Sequence, residues 1–449
     1  MTIKTLLCWA RTLGALVGAL SLSACATRPP TPCGLDDATR LRATALVNAM
    51  VQRGHAPGAV LDLRCDGQPW LQVAAGKADA ARPMRQDDLF RIYSMSKPVT
   101  ALAVQILADD GRLGLDDPLA KHLPEFAGAS VFVAEKDGVM QTQPLVRALT
   151  VRDLLRHTAG MPYMAPVPHP VFKRYVARGI DNGSGESHKP GDGSAPIDSA
   201  ADLSRRIAAI ALLHQPGERH MYGSASDVAG RLVEAVSGQS LGDFMQARLF
   251  KPLAMKDTSF RVAPNAVPRL TAAYSAPSQR PGDGSILHGQ GSGAIGPSTF
   301  TQVDAPASSV FSQARPMHFG GAGLVSTADD YQRLLGVFLN RGQGLVRAQS
   351  IDEMSRNQLS PAALENSTLA RQGLGYGLGL GVVVDPAKAP ARVPRGTHFW
   401  GGAASTFFWV DPERRITGVL MTQVFGGDAA SYFVELLQTL YGAPAAVSP

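Results

Sequence analysis

Segments with strand character sit at the two ends of this sequence, and the long stretch between them reads as helix and loop. Residues 59–65 and 70–75, separated by Asp66-Gly67-Gln68-Pro69, have the make-up of a hairpin. Residues 375–384, 396–399, 406–410 and 415–424 are closely spaced runs of the same kind. A helix at 36–51, with Leu41, Ala45, Val47, Met50 and Val51 at helical spacing, precedes the first pair, and an amphipathic helix at 428–440 follows the last run. The expected fold class is therefore α+β, with one antiparallel sheet built from both chain ends and helices flanking it. The middle is the inserted, mainly helical lobe. It follows a long apolar helix from Ser94 through Leu107, which the turn Asp109-Asp110-Gly111 ends. Its clearest helical pieces are 151–156, 200–213, 225–236 and 241–250, and the polar, Gly-rich stretches 181–196 and 276–309 are predicted as loops.

Residues 1–24 carry Lys4 and Arg11, then an apolar run too short to span a bilayer, then small residues, which is the layout of a secretory signal. Leu22-Ser23-Ala24-Cys25 resembles the lipobox of bacterial lipoproteins, so Cys25 is the expected lipidation site and first mature residue. Ala26, in place of the Asp that favours inner-membrane retention, points to the periplasm-facing side of the outer membrane. Acyl chains there would tether an otherwise soluble domain. Of the four cysteines, Cys8 leaves with the leader and Cys25 is used by lipid. Cys33 and Cys65 remain, either as a disulfide tying the first helix to the first strand or as two separate thiols.

Hydrophobic residues at 45% and charged residues at 18% describe a globular chain. The net charge is only +6 and no Lys/Arg run appears, so nucleic acid is not an expected partner. The ten histidines form no HExxH or close pair and no Cys-x-x-Cys is present, so neither a metal nor another cofactor is expected.

Chemistry concentrates in Ser94-Met95-Ser96-Lys97. A Ser and a Lys at i and i+3 on a helix start share one face, so the amine can reach the hydroxyl. A hydroxyl becomes a useful nucleophile when a neighbouring base takes its proton, and an amine does so where burial and a helix N-terminus disfavour its charge.

With further segments, this motif resembles the serine β-lactamase and penicillin-binding superfamily, in the class C-like branch that contains the family VIII carboxylesterases. The segments run, in family order, through Leu149 to Gly160, Pro216-Gly217, Tyr222-Gly223-Ser224, Lys251 to Phe260, Gly321 to Asp330 and Trp400-Gly401-Gly402-Ala403. The resemblance implies a catalytic domain at 35–445, after a signal at 1–24 and a tether at 25–34. Its α/β lobe would take 35–125 and 310–445, its helical lobe 126–275 and a loop 276–309.

It also implies roles. Tyr222 matches the Tyr of the family's Y-x-N motif, whose phenol exchanges protons with nucleophile and leaving group; either Lys97 or Tyr222 would be the base. Ser224 replaces the Asn and leaves a hydroxyl facing the acyl chain. Trp400-Gly401-Gly402 stands where the family has Lys-Thr-Gly, so a cation that assists a substrate carboxylate is missing and an indole favours apolar groups. The backbone N–H groups of Ser94 and Ala403 would form the oxyanion hole, with Gly401 and Gly402 letting the acyl group lie along the strand. His398 reads as a structural strand residue.

Two motifs are set aside. Gly238-Gln239-Ser240-Leu241-Gly242 fits G-x-S-x-G but lies between helices, where Ser240 reads as an N-cap with Asp243. Gly291 to Gly296 fits G-x-G-x-x-G without a preceding strand. The expected activity is that of a serine carboxylesterase acting through an acyl-enzyme on small or apolar esters. The alternatives are a D-alanyl-D-alanine carboxypeptidase or β-lactamase on the same residues, and a non-catalytic cell-wall-binding lipoprotein.

Overall fold

Seven strands form one antiparallel sheet, in the order Gln68–Gly76, Gly58–Cys65, Ile416–Met421, Thr406–Asp411, His398–Gly402, Gly381–Val383 and Leu374–Tyr376. The two chain ends meet where Gly58–Cys65 pairs with Ile416–Met421, Val60 opposite Met421. The computed structural model describes residues 32–163, 169–180, 195–276, 300–426 and 429–443. The leader with Cys8 and Cys25, the glycine motif at 291–296 and most of the two predicted loops lie outside these residues.

Every residue of Thr406–Asp411 and Ile416–Met421 is buried, because helices cover both faces of the sheet. On one face Val60, Trp400, Phe408, Val410 and Met421 share a core with the helices Ser96–Asp109 and Ala328–Leu339. On the other, Leu61, Phe407, Trp409 and Leu420 pack with Asp37–Gln52 and Ala429–Tyr441. There Phe407 stacks on Phe433 at 4.5 Å, and the Trp409 indole N–H donates to Tyr441 Oη at 3.2 Å. The first hairpin turns on two residues rather than four. Asp66 and Gly67 both take left-handed φ (49° and 76°), the pair that a tight turn between twisted strands requires, and Gln68 and Pro69 enter the strand.

Several expectations need correction. Residues 375–384 form two strands, Leu374–Tyr376 and Gly381–Val383, because Gly379 reverses the chain at φ 86°. The predicted loop 276–309 contains a strand, Thr301–Asp304, which pairs with Ala273–Ser275; that strand in turn pairs in parallel with Val424–Phe425, split off from the run 415–424. Pairing partners distant in sequence create this small sheet, so local composition did not reveal it. Asp304 is held there by the fully buried Arg91 at 2.6 Å.

The helical middle also contains a hairpin, Ser130–Lys136 with Val139–Pro144, turning on Asp137-Gly138. Its edge recruits Leu212, whose N–H donates to Ser130 O at 2.8 Å, and this ends the helix predicted at 200–213 at Ala208. Cys33 and Cys65 form a disulfide with Cα atoms 5.7 Å apart, within the span such a bond accepts. No helix among the described residues is long and apolar enough to cross a membrane.

Candidate active site

Ser94 sits on a 3-10 turn, Tyr93–Met95, and the α-helix begins at Ser96, two residues later than the sequence suggests. Tyr93 takes a left-handed φ of 41°, unusual for a bulky residue, and edge contacts with Phe311 and Phe425 hold its ring. The turn leaves Ser94 half-buried while residues 95–97 are buried behind it. Neighbouring elements lace it in place: Tyr331 Oη donates to Met95 O at 2.9 Å, Leu324 N to Ser96 Oγ at 3.1 Å, and Thr100 Oγ1 to Gly320 O at 2.7 Å.

Lys97 is 1% exposed, and its Nζ lies 3.1 Å from Ser94 Oγ and 2.8 Å from Gly321 O. The i, i+3 spacing thus brings amine and hydroxyl together at the start of the helix. Tyr222 reaches the same point from the other lobe, just ahead of the helix Ala225–Ser237, and its ring centroid is 4.6 Å from Lys97 Nζ. The Tyr163 ring lies 5.0 Å from the same nitrogen.

Trp400 is on the strand His398–Gly402 and only 5% exposed. Its indole N–H points at Tyr222 Oη, 3.4 Å away, so the indole is turned into the cluster of Ser94, Lys97 and Tyr222. The rings of Tyr222 and Tyr376 flank it at 5.4 and 5.0 Å. At the strand's end, Gly402 abuts the Ser94 turn so closely that a Cβ there would meet Ile92 O at 2.4 Å. Ala403 follows in an exposed turn. Ser224, by contrast, is 1% exposed; its hydroxyl points to Pro162 O at 3.5 Å and bonds Tyr175. His398 is buried against Phe338 with Nδ1 3.2 Å from Gly396 O, and burial pulls its imidazole down to about 4. Ser240 accepts from Asp243 N at 3.1 Å at the start of a short helix, as an N-cap does.

The segment 149–160 supports the site from beneath. His157, fully buried, accepts from Gly223 N at 3.3 Å and offers its carbonyl to Met221 N at 2.7 Å, fixing the chain on both sides of Tyr222. Burial first, then the nearby His220 and Lys97, hold its imidazole well below the usual range, so it is neutral. Asp153 opposes its own burial by accepting from Arg147, Arg156 and Thr158. Sequence reasoning missed His157, Tyr163, Tyr376 and Asp227 as neighbours of the site, since only tertiary packing brings them there. A cavity of about 600 Å³ lined by Gln105, Asp116, Arg152 and Glu353 shares no residue with this cluster.

The fold and this cluster together define a serine hydrolase on a β-lactamase/transpeptidase-like frame. Residues 43–440 match the family model Beta-lactamase. The chain is 31% identical over 425 residues to Esterase EstB of Burkholderia gladioli, covering 93% of this chain and 99% of that protein. It is 32% identical over 346 residues to Protein Rv1367c of Mycobacterium tuberculosis, covering 75% and 77%. Among solved structures, EstCE1, a hydrolase with promiscuous acyltransferase activity, aligns with a TM-score of 0.71 at 26% identity, over 90% of this chain and 99% of that one. The chain belongs to the Beta-lactamase family, in its family VIII esterase-like branch. It is a carboxylic ester hydrolase of the serine type.

Proposed function

We propose that this enzyme hydrolyses small or apolar neutral esters through an acyl-enzyme on Ser94, at the periplasmic face of a bacterial envelope. The observation that carries the reading is the contact of Lys97 Nζ with Ser94 Oγ, beside a tyrosine whose hydroxyl receives an indole N–H. Ser94 Oγ attacks the ester carbonyl as its proton passes to Lys97 or Tyr222. The carbonyl oxygen becomes an oxyanion facing the N–H groups of Ser94 and Ala403. Collapse breaks the ester C–O bond, and the departing alkoxide takes the proton back. Water then gives a proton to the same base, attacks the acyl carbon, and returns Ser94 as a hydroxyl.

The indole at position 400 supports the preference for neutral esters, because it supplies no cation for a substrate carboxylate. A charge-assisted contact contributes ~1.5–3 kcal/mol, so its loss weakens selection for anionic substrates by about ten- to a hundredfold. The kcat/KM for p-nitrophenyl butyrate is therefore expected to exceed that for a chromogenic cephalosporin, and Trp400→Lys to narrow the gap. A wild-type preference for the cephalosporin would make the β-lactamase or peptidase reading the better one.

The motif Leu22-Ser23-Ala24-Cys25 supports anchoring through lipid on Cys25. The full chain is expected to fractionate with membranes and Cys25→Ser to shift it to the soluble periplasm. Wild-type protein recovered wholly soluble with an unmodified N-terminus would defeat the anchor.

A further inference from the structure

Asp227 has no part in the reaction just described, yet its carboxylate and the amine of Lys97 both bond the backbone of Gly321. It lies in the first turn of Ala225–Ser237 and is 3% exposed. Its Oδ1 accepts the N–H of Gly321 at 2.8 Å, the carbonyl of Gly321 accepts from Lys97 Nζ at 2.8 Å, and Lys97 reaches Ser94 Oγ at 3.1 Å. One glycine thus joins a buried acid to a buried amine. The carboxylate packs directly on that glycine: a Cβ on Gly321 would lie 3.0 and 3.1 Å from its two oxygens and 2.7 Å from Tyr163 Oη.

We infer that Asp227 is a positioning acid. It fixes Gly321 so that the carbonyl orients Lys97, and it supplies the countercharge for the ammonium that Lys97 becomes on taking the Ser94 proton. The inference rests on the Ser94–Lys97 reading and adds no covalent step: the proton moves from Ser94 Oγ to Lys97 Nζ, and Asp227 neither gains nor loses one. An ammonium formed at a site shielded from water needs an anion close by. The Tyr163 and Tyr222 rings offer only the weaker attraction of π faces. Burial raises the Asp227 carboxyl, and the charged form of Lys97 is the foremost influence against that rise, ahead of the Gly321 N–H and Arg315, so this ammonium and this carboxylate favour each other. The arrangement parallels the acid that orients and balances a catalytic histidine, with a glycine backbone in place of the direct hydrogen bond.

Asp227→Asn tests the charge while keeping the shape and the acceptor for Gly321. With active sites counted by fluorophosphonate labelling, kcat for p-nitrophenyl butyrate is expected to fall about 10- to 100-fold while KM stays within about twofold. The second-order rate of Ser94 phosphonylation should fall by the same factor. An Asn variant that keeps wild-type kcat, or that changes KM alone, would overturn the inference. If that variant does not fold, Asp227→Ser removes the charge with a smaller polar side chain, and an unchanged kcat there overturns the inference equally. Ser94→Ala, run alongside, separates the two levels: persistent turnover in that variant defeats the underlying reading, whatever Asp227 does.

Discussion

Ser94→Ala is expected to lower kcat/KM for p-nitrophenyl butyrate by about 10³-fold or more, with the melting temperature close to wild type. The side chain carries one hydroxyl on a partly exposed turn, so little packing is lost with it. In the proposed mechanism what is lost is the atom that attacks, which leaves no covalent holder for the acyl fragment while water is activated. A fluorophosphonate should add one adduct to the wild-type chain, on Ser94, and none to the variant. Lys97→Met should be nearly as inactive, and the double variant little worse than either single one, because groups that act as a unit do not add. Ser240→Ala serves as the control: its Oγ caps Leu241–Met245, so the change should cost only about 1 kcal/mol of stability and no turnover. If Ser240→Ala is the inactive variant, the nucleophile has been misassigned.

The parts legible in the sequence are those that local spacing controls. The Ser94–Lys97 contact follows from the geometry of one helical turn, and the sheet from strand-like runs at both chain ends. Ser240 was recognisable as a cap because its partner Asp243 is three residues away. What escaped was set by partners far along the chain. Asp227, read alone, is an acid in the first turn of a helix, where the dipole favours one anyway; it shares Gly321 with Lys97 only because Gly320 to Leu324 packs onto the start of the nucleophile helix. The resemblance alone puts Trp400 in the place of a cation. Its burial and its aim at Tyr222 were not legible, since alternation along a strand gives the face of a residue but not what stands opposite. Ser224 shows the same limit, because Tyr175 and Pro162 claim a hydroxyl expected to face the acyl chain.

Gly402→Ala is expected to remove most of the activity, about 10²-fold in kcat, although it adds a single methyl group. The strand His398–Gly402 ends against the turn that presents Ser94, and the added carbon would lie 2.4 Å from both Ile92 O and Thr406 Oγ1. Ile92 O is backbone and cannot swing aside, so either the strand end or the Ser94 turn must shift. In the proposed mechanism that shift separates the two N–H groups, of Ser94 and Ala403, that would converge on a single oxyanion, and a misplacement of about 1 Å at a reacting centre is enough for such a loss. Overpacking should also cost about 1–3 kcal/mol of stability, so turnover is compared at equal concentrations of folded protein, well below the melting temperature. Gly128→Ala is the matched control, since a methyl there meets nothing within 4 Å and should leave kcat unchanged. Activity surviving in Gly402→Ala would mean that the end of this strand does not help to hold the oxyanion, and the second N–H donor would have to be sought elsewhere.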